Sequence, residues 1–281
     1  MSLSGFADLH IHTRFSDGTE TPAEVVEKSA RLGLGCVAIT DHDTCAGFED
    51  ALNAANRLGV ELLSGIEVSA YVGDASVHIL GYLMDMDNES LAQIVTDNRE
   101  SRLLRMGRMV DKLKELGYRV TLEEVLEYIG EGTLGRALLA RFLVRKGFFK
   151  NPKAVFETIL GDGKAVYEPV PRFTPQEAIG LIKSAGGVTS LAHPGFTGID
   201  EILPGLVEAG LDAIEAYSPQ HDEASQRRYA VMAERLGILV TGGSDNHGPE
   251  SGRRLGGTLL PYGHVESLKK RAAWQVAARH A

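Results

Sequence analysis

Seven short apolar runs constrain this chain more than any other feature. They are Phe6–Ile11, Cys36–Thr40, Val60–Ser64, Val77–Leu83, Val188–Ala192, Ala213–Ala216 and Ile238–Thr241. Each is rich in Val, Ile or Leu and too short for an ordinary helix. Several are continuous rather than alternating, as expected of strands covered on both faces. Helical signals fall between them. Thr21-Pro22-Ala23-Glu24 offers a capping hydroxyl, a proline at the first helical position and a glutamate three after the cap, and Gly33 stops the helix. Thr174-Pro175-Gln176-Glu177 repeats the pattern and Gly186 ends it. Asp222–Leu236 is a third amphipathic segment, closed by Gly237. Strand and helix alternating at this rhythm predict parallel βα units in an α/β fold.

The middle breaks the rhythm. From about Asn98 to Leu160 there is no convincing strand, and Leu103–Leu116, Leu122–Ile129, Ala137–Lys146 and Pro152–Leu160 carry helical spacing. The expected organisation is a main domain of residues 1–97 and 169–281, interrupted by an all-helical insertion, 98–168, that serves as a substrate cap. The insertion opens with a basic cluster, Arg99, Arg102, Arg105, Arg108, Lys112 and Lys114. A solvated helix face is the first reading of it, and contact with an anionic substrate or a partner the second.

Composition excludes several classes. With 281 residues, 43% of them hydrophobic, the chain can bury a sizeable core, and a charged fraction of 24% argues against global disorder. No apolar run approaches the roughly 20 residues that span a bilayer, and Met1–Asp8 lacks the pattern of a signal peptide. Only two cysteines, Cys36 and Cys45, are present. They make no disulfide framework, so a cytoplasmic location is expected. Cys36 reads as a small core residue; Cys45 follows a histidine-bearing turn, where a metal role is the weaker reading. A net charge of −9 disfavours an extended nucleic-acid surface. It leaves room for an anionic substrate if bound cations reverse the field inside one cleft.

The chemistry begins in the first strand, at Asp8-Leu9-His10-Ile11-His12. Residues two apart on a strand share a face, so both imidazoles can reach one ion while Ile11 turns away. Alone, such a pair is a weak signal, but more candidates follow. Asp17 lies in Ser16-Asp17-Gly18, His42 in Thr40-Asp41-His42-Asp43, and Glu67 in Gly65-Ile66-Glu67-Val68-Ser69 after the third run. His78 belongs to the fourth run, His193 ends the fifth, and Asp245 and His247 follow the seventh in Gly243-Ser244-Asp245-Asn246-His247.

Most of these positions lie at the carboxyl end of an expected parallel strand, where barrels and open α/β sheets build active sites. Six of the nine histidines occupy them, while His264 and His280 lie near the C-terminus on an expected solvated helix. Six imidazoles and three carboxylates, with no thiolate, favour borderline or harder divalent ions. One ion cannot use nine ligands, whereas a cluster of two or three can, with Glu67 suited to bridging. A hydroxide between adjacent ions is a strong nucleophile near neutral pH.

The motifs DLHIHTRFSDG, AITDHD, GIEVS, VHILGY, LAHPG and GGSDNHG stand in this order along the chain. In them, and over nearly its whole length, the sequence resembles the polymerase and histidinol phosphatase (PHP) family. The resemblance implies a distorted (β/α)7 barrel with an all-helical insertion, and phosphatase or phosphodiesterase action on nucleotides and small phosphate esters. All nine candidate positions carry the family's expected residue type. It further implies that His10, His12, Glu67 and Asp245 hold one ion, that Glu67, His78 and His193 hold a second, and that Asp17, His42 and His247 hold a third. Manganese is the usual occupant, with iron or zinc as alternatives.

Substrate contacts match less fully. Relatives often carry an arginine followed two residues later by histidine at a helix start in the insertion. Gly135-Arg136-Ala137-Leu138 keeps Arg136 and places Leu138 in the histidine position. Arg136 is the expected phosphate ligand, since a guanidinium fork matches phosphate oxygens. His221, in Tyr217-Ser218-Pro219-Gln220-His221, follows the sixth run at the metal end of the fold, where relatives often have histidine. Arg14, between His12 and Asp17, is a further candidate contact.

The expected reaction is hydrolysis of a phosphate monoester on a small nucleotide-like molecule, such as a nucleoside 3′,5′-bisphosphate, a 5′-nucleotide or an oligonucleotide end. A metal-bridging hydroxide would attack phosphorus, Arg136 and His221 would place the phosphate, and His221 would protonate the leaving alkoxide. Cyclic phosphodiesterase action on a sugar or nucleotide cyclic phosphate is the first alternative, and hydrolysis of an amide or ester at carbon the second. A non-enzymatic metal-stabilised binding module is the third, against which the intact ligand set argues. No membrane partner is expected.

Overall fold

The computed structural model describes residues 4–73, 75–169, 173–198 and 200–279. The chain divides into two compact units, Met1–Gln93 with Phe173–Ala281, and Ile94–Arg172. Among the described residues no helix is long and apolar enough to cross a membrane.

The first unit is mixed α/β. It begins β1 (Phe6–Ile11), α1 (Pro22–Leu32), β2 (Cys36–Ile39), α2 (Phe48–Leu58), β3 (Glu61–Leu63), β4 (Gly65–Val72) and β5 (Ala75–Tyr82), and the long helix α3 (Glu89–Glu115) follows. Its second half runs α7 (Pro175–Ser184), β6 (Val188–Leu191), α8 (Pro194–Thr197), α9 (Leu203–Glu208), β7 (Ala213–Tyr217), α10 (Glu223–Leu236), β8 (Leu239–Gly242), β9 (Leu260–Pro261) and α11 (Gly263–Arg279). The helix signals act as expected. Thr21 and Thr174 each form a complete capping box, with Glu24 and Glu177 respectively, and Asp222 caps α10 through the Ser225 N–H.

The strands fall into two sheets, ordered β3-β2-β1-β9 and β4-β5-β6-β7-β8. β1, β2 and β3 are parallel neighbours, as are β6, β7 and β8. Isolated bridges join the sheets, Ile11 to Asn246 and His42 to Glu67. Two departures from the expected parallel rhythm bear on the site. Residues 65–72 form a strand, not a loop after a strand: Ile66, Val68 and Ala70 alternate inward, a period-2 pattern that the polar Glu67 and Ser69 conceal. β4 then returns antiparallel as β5, with Val72 opposite Ala75 and Gly73 at φ +58° in the two-residue connection. A left-handed residue there suits a tight hairpin, and glycine adopts it without strain. β5 is also antiparallel to β6.

The second unit has its own core. On α3, Met106, Met109, Val110 and Leu113 recur at helical spacing and are buried with Val125, Leu139, Leu143 and Val155. α4 (Leu122–Ile129), α5 (Arg136–Arg145) and α6 (Pro152–Val155) surround them, and the chain continues from α6 into a π-helical turn, Phe156–Leu160. The basic cluster is less solvated than its first reading. Arg105 is buried and donates to the Glu168 carbonyl at 2.7 Å. Arg108 and Lys112 grip the Glu168 carboxylate at 3.1 and 2.6 Å. Because 105, 108 and 112 lie one above another on a helix, this stripe fastens the returning segment.

Candidate metal centre

β1 presents His10 inside the strand and His12 just beyond it, both fully buried, with ring centroids 5.2 Å apart. Glu67 and His78 come from the β4–β5 hairpin. Their register places Ser69 opposite His78 and Glu67 opposite Leu80, so Glu67 and His78 are diagonal neighbours on one face. His42 follows β2, His193 follows β6, and Asp245 and His247 follow β8.

Glu67 is the hub. Its Oε2 lies 3.3 Å from His10 Nε2, 3.1 Å from His12 Nε2 and 3.1 Å from His42 Nδ1. Its Oε1 lies 2.8 Å from His78 Nδ1 and 3.3 Å from His193 Nε2. Asp245 Oδ1 is 3.6 Å from His10 Nε2 and 3.3 Å from His12 Nε2, while Asp17 Oδ1 is 3.2 Å from His247 Nε2. Three groups have ligand atoms close enough to share an ion: His12, Asp17, His42 and His247; His10, His12 and Glu67; His42, Glu67 and His78. All nine expected side chains thus converge in one place. The grouping differs from the expected division: His12 joins the third set, His42 stands in the second in place of His193, and Asp245 is absent from the first.

The donor chemistry fits divalent ions. His10 Nδ1 lies 2.9 Å from Glu215 Oε1. A carboxylate only accepts, so Nδ1 carries the proton and a neutral His10 aims its Nε2 lone pair at Glu67 and Asp245. His10 Nε2, His12 Nε2, His193 Nδ1 and Glu67 Oε2 are buried and make no hydrogen bond. Lone pairs of imidazole and carboxylate pointed at one another in a dry site repel unless a cation lies between them.

Protons show the same demand. Burial opposes charge on His12, but a proton placed on its Nε2 would be held by the facing Asp245 and Glu67 carboxylates, and this raises its pKa to about 10. At His42 burial prevails over the attraction of Glu67 and lowers the pKa to about 4. Burial also works against the charge on Glu67, yet the surrounding imidazoles hold its carboxyl well below the ordinary range, and Asp245 behaves alike.

Several supporting residues carried no clear sequence signal. Glu215 is fully buried in β7, where it accepts from His10 through Oε1 and from the His193 N–H through Oε2 at 2.7 Å. A glutamate inside the apolar run Ala213–Ala216 was the available clue. Asp41 accepts from the Thr13 N–H, the Thr13 hydroxyl and Ser16, holding the loop that bears Asp17. Asp245 turns Oδ1 toward the histidines, while Oδ2 accepts from Gln220 at 2.9 Å and pairs with Arg253. His193 (φ +30°) and Asp245 (φ +48°) hold left-handed backbones, a strain of roughly 1–3 kcal/mol each that is characteristic of functional sites.

The expected substrate residues are placed differently. His221 is buried, with Nδ1 2.9 Å from the Ala216 carbonyl and Nε2 accepting from the Gly195 N–H at 3.0 Å, so both ring nitrogens are engaged. A Cβ at position 195 would fall 2.7 Å from His221 Nε2, which is why glycine stands there. Arg136 belongs to the helical unit, where Nη1 donates to the Leu160 carbonyl at 3.2 Å and to Asp162 at 2.5 Å, and the guanidinium lies 5.2 Å from the Tyr167 ring centre. Leu138 is buried in that unit's core. Arg14 sits exposed, 5.7 Å from the Phe15 ring centre. Cys45 Sγ contacts the Gly65 carbonyl, and burial raises its pKa to about 12, keeping it the poorly coordinating thiol. His264 is half-buried on α11, and His280 lies outside the described residues.

The centre opens to a cleft of about 150 Å³. Candidate ligand residues form its floor, and Phe196, Gln220 and Arg253 form its wall.

Comparison with known proteins agrees. The PHP domain family matches residues 8–132. A 3′,5′-nucleoside bisphosphate phosphatase of Chromobacterium violaceum is 35% identical over 93% of this chain and 92% of its own length. A phosphoribosyl 1,2-cyclic phosphate 1,2-diphosphodiesterase of Eggerthella lenta is also 35% identical, over 86% of this chain and 94% of its own. A solved structure from Bifidobacterium adolescentis, assigned as a metal-dependent phosphoesterase, superposes with a TM-score of 0.87 at 36% identity, covering 94% of this chain and 96% of that one. The chain belongs to the PHP family of metal-dependent phosphoesterases. It is a hydrolase of phosphoric ester bonds.

Proposed function

We propose that the protein removes a phosphate monoester from a small nucleotide-like substrate, a nucleoside 3′,5′-bisphosphate or a 5′-nucleotide in particular. The observation that carries this reading is Glu67, ringed by five imidazoles at the floor of a cleft whose wall supplies one guanidinium, Arg253.

His10, His12, Asp17, His42, Glu67, His78, His193, Asp245 and His247 would hold two or three divalent ions, manganese first, with Glu67 shared. Such ions supply Lewis acidity toward phosphoryl oxygens and activate water. The chain's own groups do the rest. Glu215 fixes the His10 tautomer and the His193 backbone together. Gln220 and Arg253 orient Asp245. Arg253, on the cleft wall, would take a phosphate oxygen by charge-assisted hydrogen bonding. We assign His221 a positioning role, since its nitrogens hold α8 to β7. Arg136, spent on Asp162 and Leu160, ranks behind Arg253 as a phosphate ligand. Two sheets bridged at Ile11–Asn246 and His42–Glu67 support reading the strands as a distorted barrel, and a cytoplasmic location goes with the same proposal.

A second reading, cyclic phosphodiesterase action, draws on the equally identical Eggerthella relative and on Leu138 standing where relatives often have histidine. Phosphate release from a nucleoside 3′,5′-bisphosphate, a 5′-nucleotide and a phosphoribosyl 1,2-cyclic phosphate, each on manganese-loaded protein, separates the two. Turnover of the cyclic ester alone would overturn the first.

A further inference from the structure

Among the described residues, the cleft over the candidate centre is lined by eight polar side chains and a single apolar one, Phe196. That ring is 76% exposed. A lone exposed phenylalanine on an ordinary surface needs no explanation. This one stands at the mouth of a strongly polar site, and it is held there.

Phe196 lies on α8, one turn of helix begun directly after His193. The Phe196 N–H donates to the His193 carbonyl at 3.0 Å, and its ring meets the His193 imidazole edge-on, centroids 6.1 Å apart at 87°. The turn is pinned at two further points, the His193 N–H to Glu215 and the Gly195 N–H to His221. His221 is itself stacked on Tyr229, with ring centroids 4.8 Å apart. The backbone carrying the exposed ring is therefore tied to β7 and to buried groups. Exposing an aromatic face on a rigid mount at a polar cleft is how proteins receive a planar ring.

We propose that Phe196 is the stacking platform for the planar ring of the substrate's leaving group, so that the protein selects esters carrying a nucleobase over base-free sugar phosphates. This rests on the phosphoesterase reading above and decides between its two substrate arms. The ring binds by its face, which every base possesses, so the platform selects for a base without selecting which base.

The test compares wild type with Phe196→Ala and Phe196→Trp, using adenosine 5′-monophosphate and ribose 5-phosphate as paired probes. Binding is measured by calorimetry on chelator-treated protein and turnover on manganese-loaded protein. For Phe196→Ala we expect about a tenfold or greater loss of affinity and rise in KM with adenosine 5′-monophosphate, as stacking on one aromatic implies. Its kcat should be little changed and its ribose 5-phosphate parameters unaltered, and Phe196→Trp should bind the nucleotide at least as well as wild type. Equal effects on both probes, or none on either, overturn the platform. If wild type hydrolyses neither ester while Phe196→Ala still weakens nucleotide binding selectively, the platform stands and the reaction assignment falls.

Discussion

Glu215 holds His10 by a 2.9 Å hydrogen bond to Nδ1, although 205 positions separate them in the chain. Its second oxygen holds the His193 backbone. One buried carboxylate therefore aligns two candidate ligands, one on β1 and one just after β6 in the other sheet. Glu215→Gln should lower metal affinity or turnover by about 10–100-fold, the usual cost of removing a carboxylate behind a ligating histidine. Metal analysis beside circular dichroism checks this. An unchanged metal content with unchanged turnover would refute it.

Glu67→Gln tests the hub. The amide cannot serve as an anionic bridge, and at least one ion per chain should be lost. If the ions supply several kcal/mol of charge stabilisation, turnover should fall by roughly a thousandfold or more at about 1.4 kcal/mol per tenfold. Elemental analysis and phosphate-release assays on the same preparation give the answer.

His12 sets a pH dependence. Its pKa rises from 6.5 to about 10 in the metal-free fold, so the folded protein holds this proton more tightly than the unfolded chain. The resulting stability is fully present below pH 6.5 and is lost as pH rises through about 10. An incoming ion must displace the proton, so apparent metal affinity should climb with pH toward 10. Calorimetric titration with manganese in buffers of different ionisation enthalpy measures the protons released. An affinity flat between pH 6 and 9 would contradict the coupling.

Arg253→Ala removes the guanidinium from the cleft wall and from Asp245 Oδ2. Loss of a charge-assisted contact, about 1.5–3 kcal/mol, corresponds to about 10- to 100-fold in kcat/KM. Arg253→Lys should recover part of it, because a point charge replaces the fork. Arg136→Ala, by contrast, should disturb the helical unit's thermal stability more than it disturbs kcat/KM. Kinetics and melting curves of the three variants rank the two arginines.

Leu143 is fully buried in the helical unit's core. Leu143→Ala should destabilise that unit by about 2–5 kcal/mol. Urea denaturation followed by limited proteolysis would show cleavage appearing first between residues 94 and 172.

The helices and most strands were legible because their signals are local. Thr21, Thr174 and Asp222 mark helix starts through hydrogen bonds to residues three positions on, and a sequence displays such spacing directly. The nine candidate ligands could be read for a related reason, since most stand in or soon after an apolar run and their residue types announce their chemistry. The β4–β5 hairpin was not. Glu67 reads as a polar break after a strand, and only the pairing with β5 shows it to be a mid-strand residue. Nor could sequence say where the supporting groups point. Gln220 and Arg253 look like loop residues until folding brings them to Asp245, and His221 looks like a catalytic acid until both its nitrogens are seen to be engaged. Arg105, Arg108 and Lys112 suggest a solvated stripe because Glu168, whose carbonyl and carboxylate receive them, lies 60 residues from Arg108.

The spread of the ligands along the chain has a consequence for how such a centre is born. His10 through His78 are made early and His193 through His247 late, with the helical unit translated between them. A ribosome carrying the first half displays only the early histidines and Glu67, without the partners that close the coordination sphere. Ions met at that stage would be held by a few mobile side chains, in the order of intrinsic affinity that favours copper over manganese. Once β6, β7 and β8 have joined the sheet, the choice of ion passes to a shaped cavity of fixed charge. A chain halted before β8 would carry seven of the nine candidate ligands and lack Asp245 and His247, so the full candidate set exists only when synthesis is nearly complete.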